Sequence, residues 1–165
     1  MPIQLRALSP ADREPLAQML ARIPQFDLED VALALELIDF ALERPGQKDY
    51  AFKLAFETGK TLVGYACYGP TPITDRTFSL YWIAVIPECA GQGIGTQILE
   101  AVEQELQELH ARMLLIETSS RPDYELTRRF YLKNGCQVAE VFRDFFRVGE
   151  DRVTYIKRFE TPASS

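Results

Sequence analysis

The run Tyr81-Trp82-Ile83-Ala84-Val85-Ile86-Pro87, followed by Ala90-Gly91-Gln92-Gly93-Ile94-Gly95-Thr96, constrains this chain more than any other segment. An apolar strand passes through a short loop, then glycines at alternate positions, into an amphipathic helix. Ile94, Ile98, Leu99, Val102, Leu106 and Leu109 mark one face of that helix. Glycines in that place let the backbone come close to a bulky anion. The first turn of the helix offers N–H groups that no helical carbonyl can reach. The segment therefore predicts a grip on a phosphorylated ligand and leaves open which one.

The flanking sequence supplies the rest of the domain. Ser9-Pro10-Ala11-Asp12 reads as a helix start, with Ser9 as N-cap, and the helix runs to about Arg22 before Ile23-Pro24. Asp27 caps a second helix with Val31, Leu35, Ile38 and Leu42 on its apolar face, closed by Pro45-Gly46. Ile3 to Leu8, Tyr50 to Phe56, Thr61 to Tyr68 and Thr77 to Ile86 read as strands. Thr58-Gly59-Lys60 is a tight turn, and Gly69-Pro70-Thr71-Pro72 breaks the third strand. Downstream lie a short buried strand, Met113 to Thr118, and a helix from Pro122 to Asn134 that closes at Gly135. Cys136 to Arg147 and Arg152 to Phe159 pair as a hairpin around Gly149-Glu150-Asp151. No repeat or linker interrupts this order. The expectation is one α+β domain over residues 1–160 with a mostly antiparallel sheet, and a flexible tail at 161–165.

Composition narrows the partners. Lys plus Arg number 18 against 24 Asp plus Glu, a formal net charge of -6, which argues against a nucleic-acid binder. It is compatible with a cationic substrate. The cysteines, Cys67, Cys89 and Cys136, are widely separated, and His110 is the only histidine, so no zinc spacing and no disulfide framework is expected. No apolar run is long enough to cross a bilayer and no basic-then-apolar leader opens the chain. The expectation is a cytoplasmic protein without a metal and without a membrane partner.

Three phosphate ligands compete for the glycine loop. A Walker A loop ends in Gly-Lys-Ser/Thr, and Gly95-Thr96-Gln97 lacks the lysine. The dinucleotide fingerprint G-x-G-x-x-G would put its third glycine at Thr96 counted from Gly91, or at Ile98 counted from Gly93. Glu117 could imitate its ribose-binding acid, yet that loop belongs after the first strand of a βαβ series and here several strands precede it. The third reading fits the context. Ala90-Gly91-Gln92-Gly93-Ile94-Gly95 resembles the pyrophosphate loop of the GNAT superfamily of acetyl-CoA-dependent N-acetyltransferases, Gln/Arg-x-x-Gly-x-Gly/Ala, with Ala90 in the first position. Phe130-Tyr131-Leu132-Lys133-Asn134-Gly135-Cys136 resembles that superfamily's later Tyr-x-x-x-Gly-Phe segment, with Cys136 where Phe is usual. Tyr124 and Thr127 stand where the family often has Asn and Ala. Leu80-Tyr81-Trp82-Ile83-Ala84-Val85, Glu117-Thr118-Ser119-Ser120-Arg121-Pro122 and the hairpin from Asp144-Phe145-Phe146 to Gly149-Glu150-Asp151 look like a common bacterial branch. The likeness runs from about Ile3 to Phe159.

The resemblance implies a central sheet splayed at its middle, near Val85 and Thr118, with helices on both faces and acetyl-CoA as co-substrate. It implies that Gly91, Gln92, Gly93, Ile94, Gly95 and Thr96 hold the pyrophosphate, with Thr96 adding its hydroxyl. Backbone N–H groups near Ile83, Ala84 and Val85 would take the oxyanion and the pantetheine arm, and Thr118 lies on the facing strand. Tyr131 would be the general acid to the leaving thiolate. A phenol of pKa about 10 facing a thiol of about 8.5 makes that transfer uphill by only ~1–2 units. The family's base position on the fourth strand falls on Ser79, which shares a strand face with Tyr81 and could hold a water. Glu29, Asp30, Glu36 and Asp144 are other candidates for the base. Cys89 has no histidine partner and His110 sits at a helix end, so both read as structural. The acceptor is a small-molecule amine or a protein amine, its pocket shaped by Ser9 to Arg44 and the loop from Gly69 to Arg76, and a homodimer is compatible with the family. A catalytically silent CoA-binding module is the alternative, followed by a dinucleotide binder.

Overall fold

The computed structural model describes residues 2–58 and 60–160. Gly59 of the expected turn and the expected tail at 161–165 lie outside the described residues. On either side of Gly59, Thr58 has φ +52° and the Lys60 N–H donates to the Glu57 carbonyl at 3.1 Å.

The strands are β1 (Ile3–Arg6), β2 (Ala51–Glu57), β3 (Thr61–Pro70), β4 (Thr77–Val85), β5 (Met113–Ser119), β6 (Gln137–Arg147) and β7 (Glu150–Arg158). The α-helices are α1 (Arg13–Leu20), α2 (Leu28–Glu43), α3 (Ile94–Glu108) and α4 (Glu125–Lys133). The strands follow the order β1-β2-β3-β4-β5-β7-β6 in one seven-stranded sheet. The β4/β5 pair is parallel, while β1/β2, β2/β3, β5/β7 and β6/β7 are antiparallel. This is the expected α+β class with a mostly antiparallel sheet. The chain divides into two compact units, Met1–Gly69 with Trp82–Glu105, and Pro70–Tyr81 with Leu106–Ser165.

In the first unit, β3 is buried without a break from Val63 to Gly69, and Val63 and Tyr65 lie in the core with Leu54 of β2, Leu16 and Leu20 of α1 and Ile38 of α2. The buried face of α2 keeps Ile38 of the expected set and adds Ala34, while Val31, Leu35 and Leu42 are half-buried. The start of the first helix is also tighter than expected, a 3-10 turn at Pro10–Asp12 leading into α1, which ends at Leu20 rather than Arg22. Asp12 fixes that turn. Its carboxylate accepts two bonds from the Arg6 guanidinium, at 2.7 and 2.8 Å, and one from the Ser9 N–H at 2.8 Å. The Arg6 hydrogen bond holds the Asp12 carboxyl below the ordinary carboxylate range. A depressed folded pKa stabilises the fold above about pH 4, and that contribution is lost as pH falls through the folded value. Arg6 is half-exposed, which screens the attraction. Asp12→Asn is therefore expected to cost about 1 kcal/mol at neutral pH and to flatten the loss of stability on acidification. Urea unfolding of both proteins between about pH 2 and pH 7 checks this. Parallel pH profiles would remove the linkage.

In the second unit, the β4/β5 ladder covers four pairs, Thr77↔Met113 to Leu80↔Ile116. The β5/β7 ladder runs from Met113↔Arg158 to Ser119↔Arg152. Leu114, Ile116, Val153 and Tyr155 are buried on these ladders, and the Tyr155 ring meets Tyr131 of α4 at 5.4 Å. The expected helix from Pro122 begins as a 3-10 turn, Pro122–Tyr124, before α4. Its end is a Schellman closure: the Cys136 N–H donates to the Tyr131 carbonyl at 3.0 Å and the Gly135 N–H to the Leu132 carbonyl at 3.2 Å. Gly135 sits at φ +86°, where a Cβ is strained. Gly135→Ala is expected to lower stability by about 1 kcal/mol, read as a lower urea midpoint at unchanged slope.

Leu109, expected on the apolar face of the glycine-loop helix, is 52% exposed, because α3 ends at Glu108 and His110 turns the chain away with φ +60°. The final hairpin also turns one step earlier than expected. Glu150 and Asp151 already belong to β7, so Val148-Gly149 make the turn. Likewise β3 continues through Gly69 to Pro70 before the chain breaks.

Candidate functional site

The glycine loop is built from hydrogen bonds that end just before it. After β4, the Ile86 N–H donates to the Val63 carbonyl at 2.9 Å, the Cys89 N–H to Ile86 at 3.0 Å and the Ala90 N–H to Pro87 at 3.1 Å. Gly91 and Gly93 then take φ of +77° and +80°. The next bonded backbone donor is Gln97, on the Gly93 carbonyl at 3.1 Å. Among the described residues, the N–H groups from Gln92 to Thr96 have no partner. No acid stands in the first turn of α3. A Cβ built on Gly91 or Gly93 meets nothing within 4 Å, so the space beside both glycines is open. Five donors at a helix start, without a competing carboxylate, suit an anion with several acceptor oxygens.

Packing fixes where the loop stands. A Cβ on Gly64 of β3 would meet the Ala84 carbonyl at 2.9 Å and Ile98 Cδ1 at 3.0 Å. That close approach seats the end of β4 and the first turns of α3 against β3, and buries Ile94, Ile98, Leu99 and Val102. Ala90 is exposed and holds the loop only through its backbone. Below the loop, Gln92 Nε2 donates to the Glu88 carbonyl at 3.4 Å and the Glu88 carboxylate pairs with Arg22.

In the second unit Tyr131 lies on the buried face of α4, packed at 5.5 Å from the Phe130 ring and 5.4 Å from the Tyr155 ring. Among the described residues nothing hydrogen-bonds its hydroxyl. Burial pushes the phenol above its ordinary pKa, with Cys136, Tyr124 and Tyr155 adding to the rise. This changes the expected proton balance. Full transfer to a thiolate is steeper than for a free phenol, while donation of a hydrogen bond is unimpeded. Cys136, where the resemblance places Phe, donates the outer bond of the Schellman closure and is itself buried, so the smaller side chain fills an apolar position.

Ser79 is half-buried on β4, opposite Leu115, and its hydroxyl shares a 2.7 Å hydrogen bond with that of Thr71. The other acids divide by role. Glu29 and Glu36 are exposed on α2, and Asp30 closes a reciprocal cap with Asp27 at 2.8 and 3.0 Å. Asp144 accepts the Gly149 N–H at 2.8 Å and shapes the hairpin. Thr118 is buried opposite Val153, and Ile83, Ala84 and Val85 occupy the end of β4. Cys89 is buried, and burial with Glu57 and Glu88 nearby raises its thiol, as suits a packing residue.

Sequence reasoning missed a polar clasp at the end of β5. The buried Ser119 hydroxyl donates to Glu150 at 2.7 Å and accepts the Arg121 N–H at 3.0 Å. Arg128 Nη1 donates to the carbonyls of Ser119 and Arg121 at 2.8 and 2.9 Å. The clasp sets the start of α4, and so the height of Tyr131 along it. Its partners Ser119 and Glu150 are far apart in the chain, and only a polar pair at the ends of two adjacent strands signals it.

The comparisons with known proteins agree on one group. The sequence matches the family model described as acetyltransferase (GNAT) family over residues 14–136. A crystal structure of a protein assigned to the GNAT acetyltransferases, from Desulfovibrio desulfuricans, is 34% identical. It covers 95% of this chain and 99% of its own, with a TM-score of 0.91. The ribosomal-protein-S18-alanine N-acetyltransferase from Escherichia coli is 18% identical, covers 99% and 98%, and has a TM-score of 0.77. The PaiA N-acetyltransferase from Thermoplasma acidophilum, solved with coenzyme A, is 20% identical, covers 96% and 100%, and has a TM-score of 0.71. For the last two the likeness is one of fold. None of the curated proteins matches the chain. Among the described residues, no helix is long and apolar enough to cross a membrane.

Proposed function

The chain belongs to the acetyltransferase (GNAT) family and is an acyltransferase, and on that premise we propose that it moves an acetyl group from acetyl-CoA to a primary amine by direct attack. The observation that carries the reading is the run of unpartnered N–H groups from Gln92 to Thr96 behind two left-handed glycines. Gly91 to Thr96 hold the pyrophosphate, and the Thr96 hydroxyl adds a donor. Ile83, Ala84, Val85 and Thr118 are further cofactor contacts. Bound acetyl-CoA supplies the carbonyl that the amine attacks and the thiolate that departs. Tyr131 keeps its proton at neutral pH and donates a hydrogen bond to the sulfur as negative charge collects there. No covalent enzyme intermediate is needed. The free, buried state of Cys67, Cys89 and Cys136 supports a reducing, cytoplasmic setting.

The acceptor ammonium must lose a proton before attack. The Ser79 hydroxyl, bonded to Thr71, can position a water, but a serine is not a base near neutral pH. The protein therefore selects the neutral fraction of the amine. At subsaturating amine, turnover is expected to rise about tenfold per pH unit toward the amine's own pKa of about 10. A plateau beginning near about pH 7 would instead reveal a titrating base on the protein.

The test is release of free CoA thiol from acetyl-CoA over a panel that includes small polyamines, aminoglycosides and peptide N-termini. Release with one class names the acceptor. Tight CoA binding with no release from any member would make the chain a CoA-binding module. Stabilisation by NAD rather than acetyl-CoA would make it a dinucleotide binder.

A further inference from the structure

The segment that supplies the glycine loop brings no strong cation of its own. From Thr77 to Ala111 the chain has neither lysine nor arginine, while Glu88, Glu100, Glu103, Glu105 and Glu108 are all acidic. The start of a helix offers partial positive charge equivalent to roughly half an elementary charge. That is small against a diphosphate, whose approach to an acidic segment is opposed by like charge. A ligand of this kind calls for a full positive charge from another part of the fold.

Among the described residues, two cations reach the segment through ion pairs. Lys53 stands 3.6 Å from Glu105, toward the far end of α3 from the loop. Arg22 pairs with Glu88, two residues before Ala90. Packing fixes where Arg22 starts. Its N–H donates to the Met19 carbonyl at 3.0 Å just past α1, and Met19, Leu20 and Ile23 around it are buried. Its side chain is 52% exposed and that of Glu88 60%, so the guanidinium is free to turn. The described pair joins Arg22 Nη2 to Glu88 Oε1, which leaves Nε and Nη1 for a second anion.

The neighbouring charges show the same deficit. Burial raises the Cys89 thiol most, Glu57 and Glu88 raise it further, and Arg22 lowers it. Two carboxylates and one guanidinium therefore meet at the foot of the loop. Gln92 Nε2, from the first donor residue of the cradle, reaches back to the Glu88 carbonyl at 3.4 Å. Arg22, Glu88 and the loop all belong to the first compact unit. A planar guanidinium can hold a carboxylate on one edge and a phosphate on the other. Resting on the reading that Gly91 to Thr96 hold the diphosphate of acetyl-CoA, we propose that Arg22 is the cation of that site, held by Glu88 at the foot of the loop to bridge this carboxylate and the diphosphate.

Calorimetric titration of CoA into the full chain tests the assignment without reference to turnover. Arg22→Gln should raise the dissociation constant roughly thirtyfold, and Arg22→Lys, which keeps the charge but not the fork, about threefold. The pair Arg22→Gln with Glu88→Gln should remain about tenfold weaker than wild type, because the phosphate contact is still missing. Arg13→Gln removes an equal charge from the start of α1, where Arg13 bonds Asp39 at 3.0 and 3.2 Å, and should leave affinity unchanged. Melting midpoints should stay within about 2 °C of wild type, since an exposed ion pair adds little stability. The loss in Arg22→Gln should be the same with CoA lacking its 3′-phosphate. Unchanged affinity in Arg22→Gln would overturn the proposal. So would full recovery in the paired variant, which would make Arg22 only a neutraliser of Glu88. A loss that vanishes without the 3′-phosphate would overturn the assignment to the diphosphate. A wild type that fails to bind CoA would instead overturn the acetyltransferase reading itself, and the assignment with it.

Discussion

Replacing Tyr131 by phenylalanine is expected to cut turnover about a hundredfold while acetyl-CoA affinity stays within about twofold. The ring remains and continues to pack between Phe130 and Tyr155, so the fold of α4 should not change. Only the hydroxyl is lost, and no described residue bonds it. Its effect should therefore fall on the step in which charge collects on sulfur. Because burial raises the phenol, Tyr131 stays protonated through neutral pH, and wild-type activity should show no alkaline decline from this group below about pH 10. The measurement is steady-state turnover with the best amine of the panel, paired with calorimetric titration of acetyl-CoA. Equal turnover in the two proteins would end the case for Tyr131. Equal losses in turnover and CoA affinity would make it a packing residue.

Gly93→Val should abolish detectable acetyl-CoA binding. At φ +80° a β-branched residue is strained by about 1–3 kcal/mol, and the loop must change course to relieve it. A Cβ there meets nothing within 4 Å, so the strain lies in the backbone itself. A changed course of the loop withdraws several donors at once, so the expected loss is on the order of a thousandfold. Ala90→Arg is the contrasting change. Ala90 is exposed and contributes only backbone, so a guanidinium there should leave affinity unchanged or raise it. Titration of CoA into the two variants separates the outcomes. Normal binding by Gly93→Val would remove the loop from the cofactor site.

What could be read directly was what local chemistry dictates. A left-handed position at a helix end favours glycine, and Gly91 and Gly93 before α3 and Gly135 after α4 take it. Asp27 caps α2, and the strand-like runs from Tyr50, Thr61 and Met113 became β2, β3 and β5. The misreadings came where tertiary contact overrides periodicity. Leu109 continues the helical spacing of α3, yet the helix has already ended. Of the expected α2 face only Ile38 is fully buried, joined by Ala34, while Val31, Leu35 and Leu42 are half-buried. The site divides the same way. The loop is contiguous and so was legible, whereas the ring of Tyr155 against Tyr131 and the clasp of Ser119 with Glu150 join residues 24 and 31 apart in the numbering. No spacing rule reports those pairs. The bond that occupies Ser79 comes from Thr71, across a loop whose course the sequence alone does not describe.

All three cysteines are free and less than a tenth exposed. A disulfide dye that reports liberated CoA should therefore see almost no signal from the native enzyme, and turnover can be read continuously without blocking the protein. The same dye becomes a clock once substrate is withheld. Each chain that opens releases three thiols, so the slow drift of colour counts unfolding events under native conditions. Cys67 sits in β3, Cys89 just before the glycine loop and Cys136 just after α4. The order in which they colour would rank the local stabilities of these regions, and slower colouring of Cys89 with acetyl-CoA present would mark the loop that the ligand holds shut.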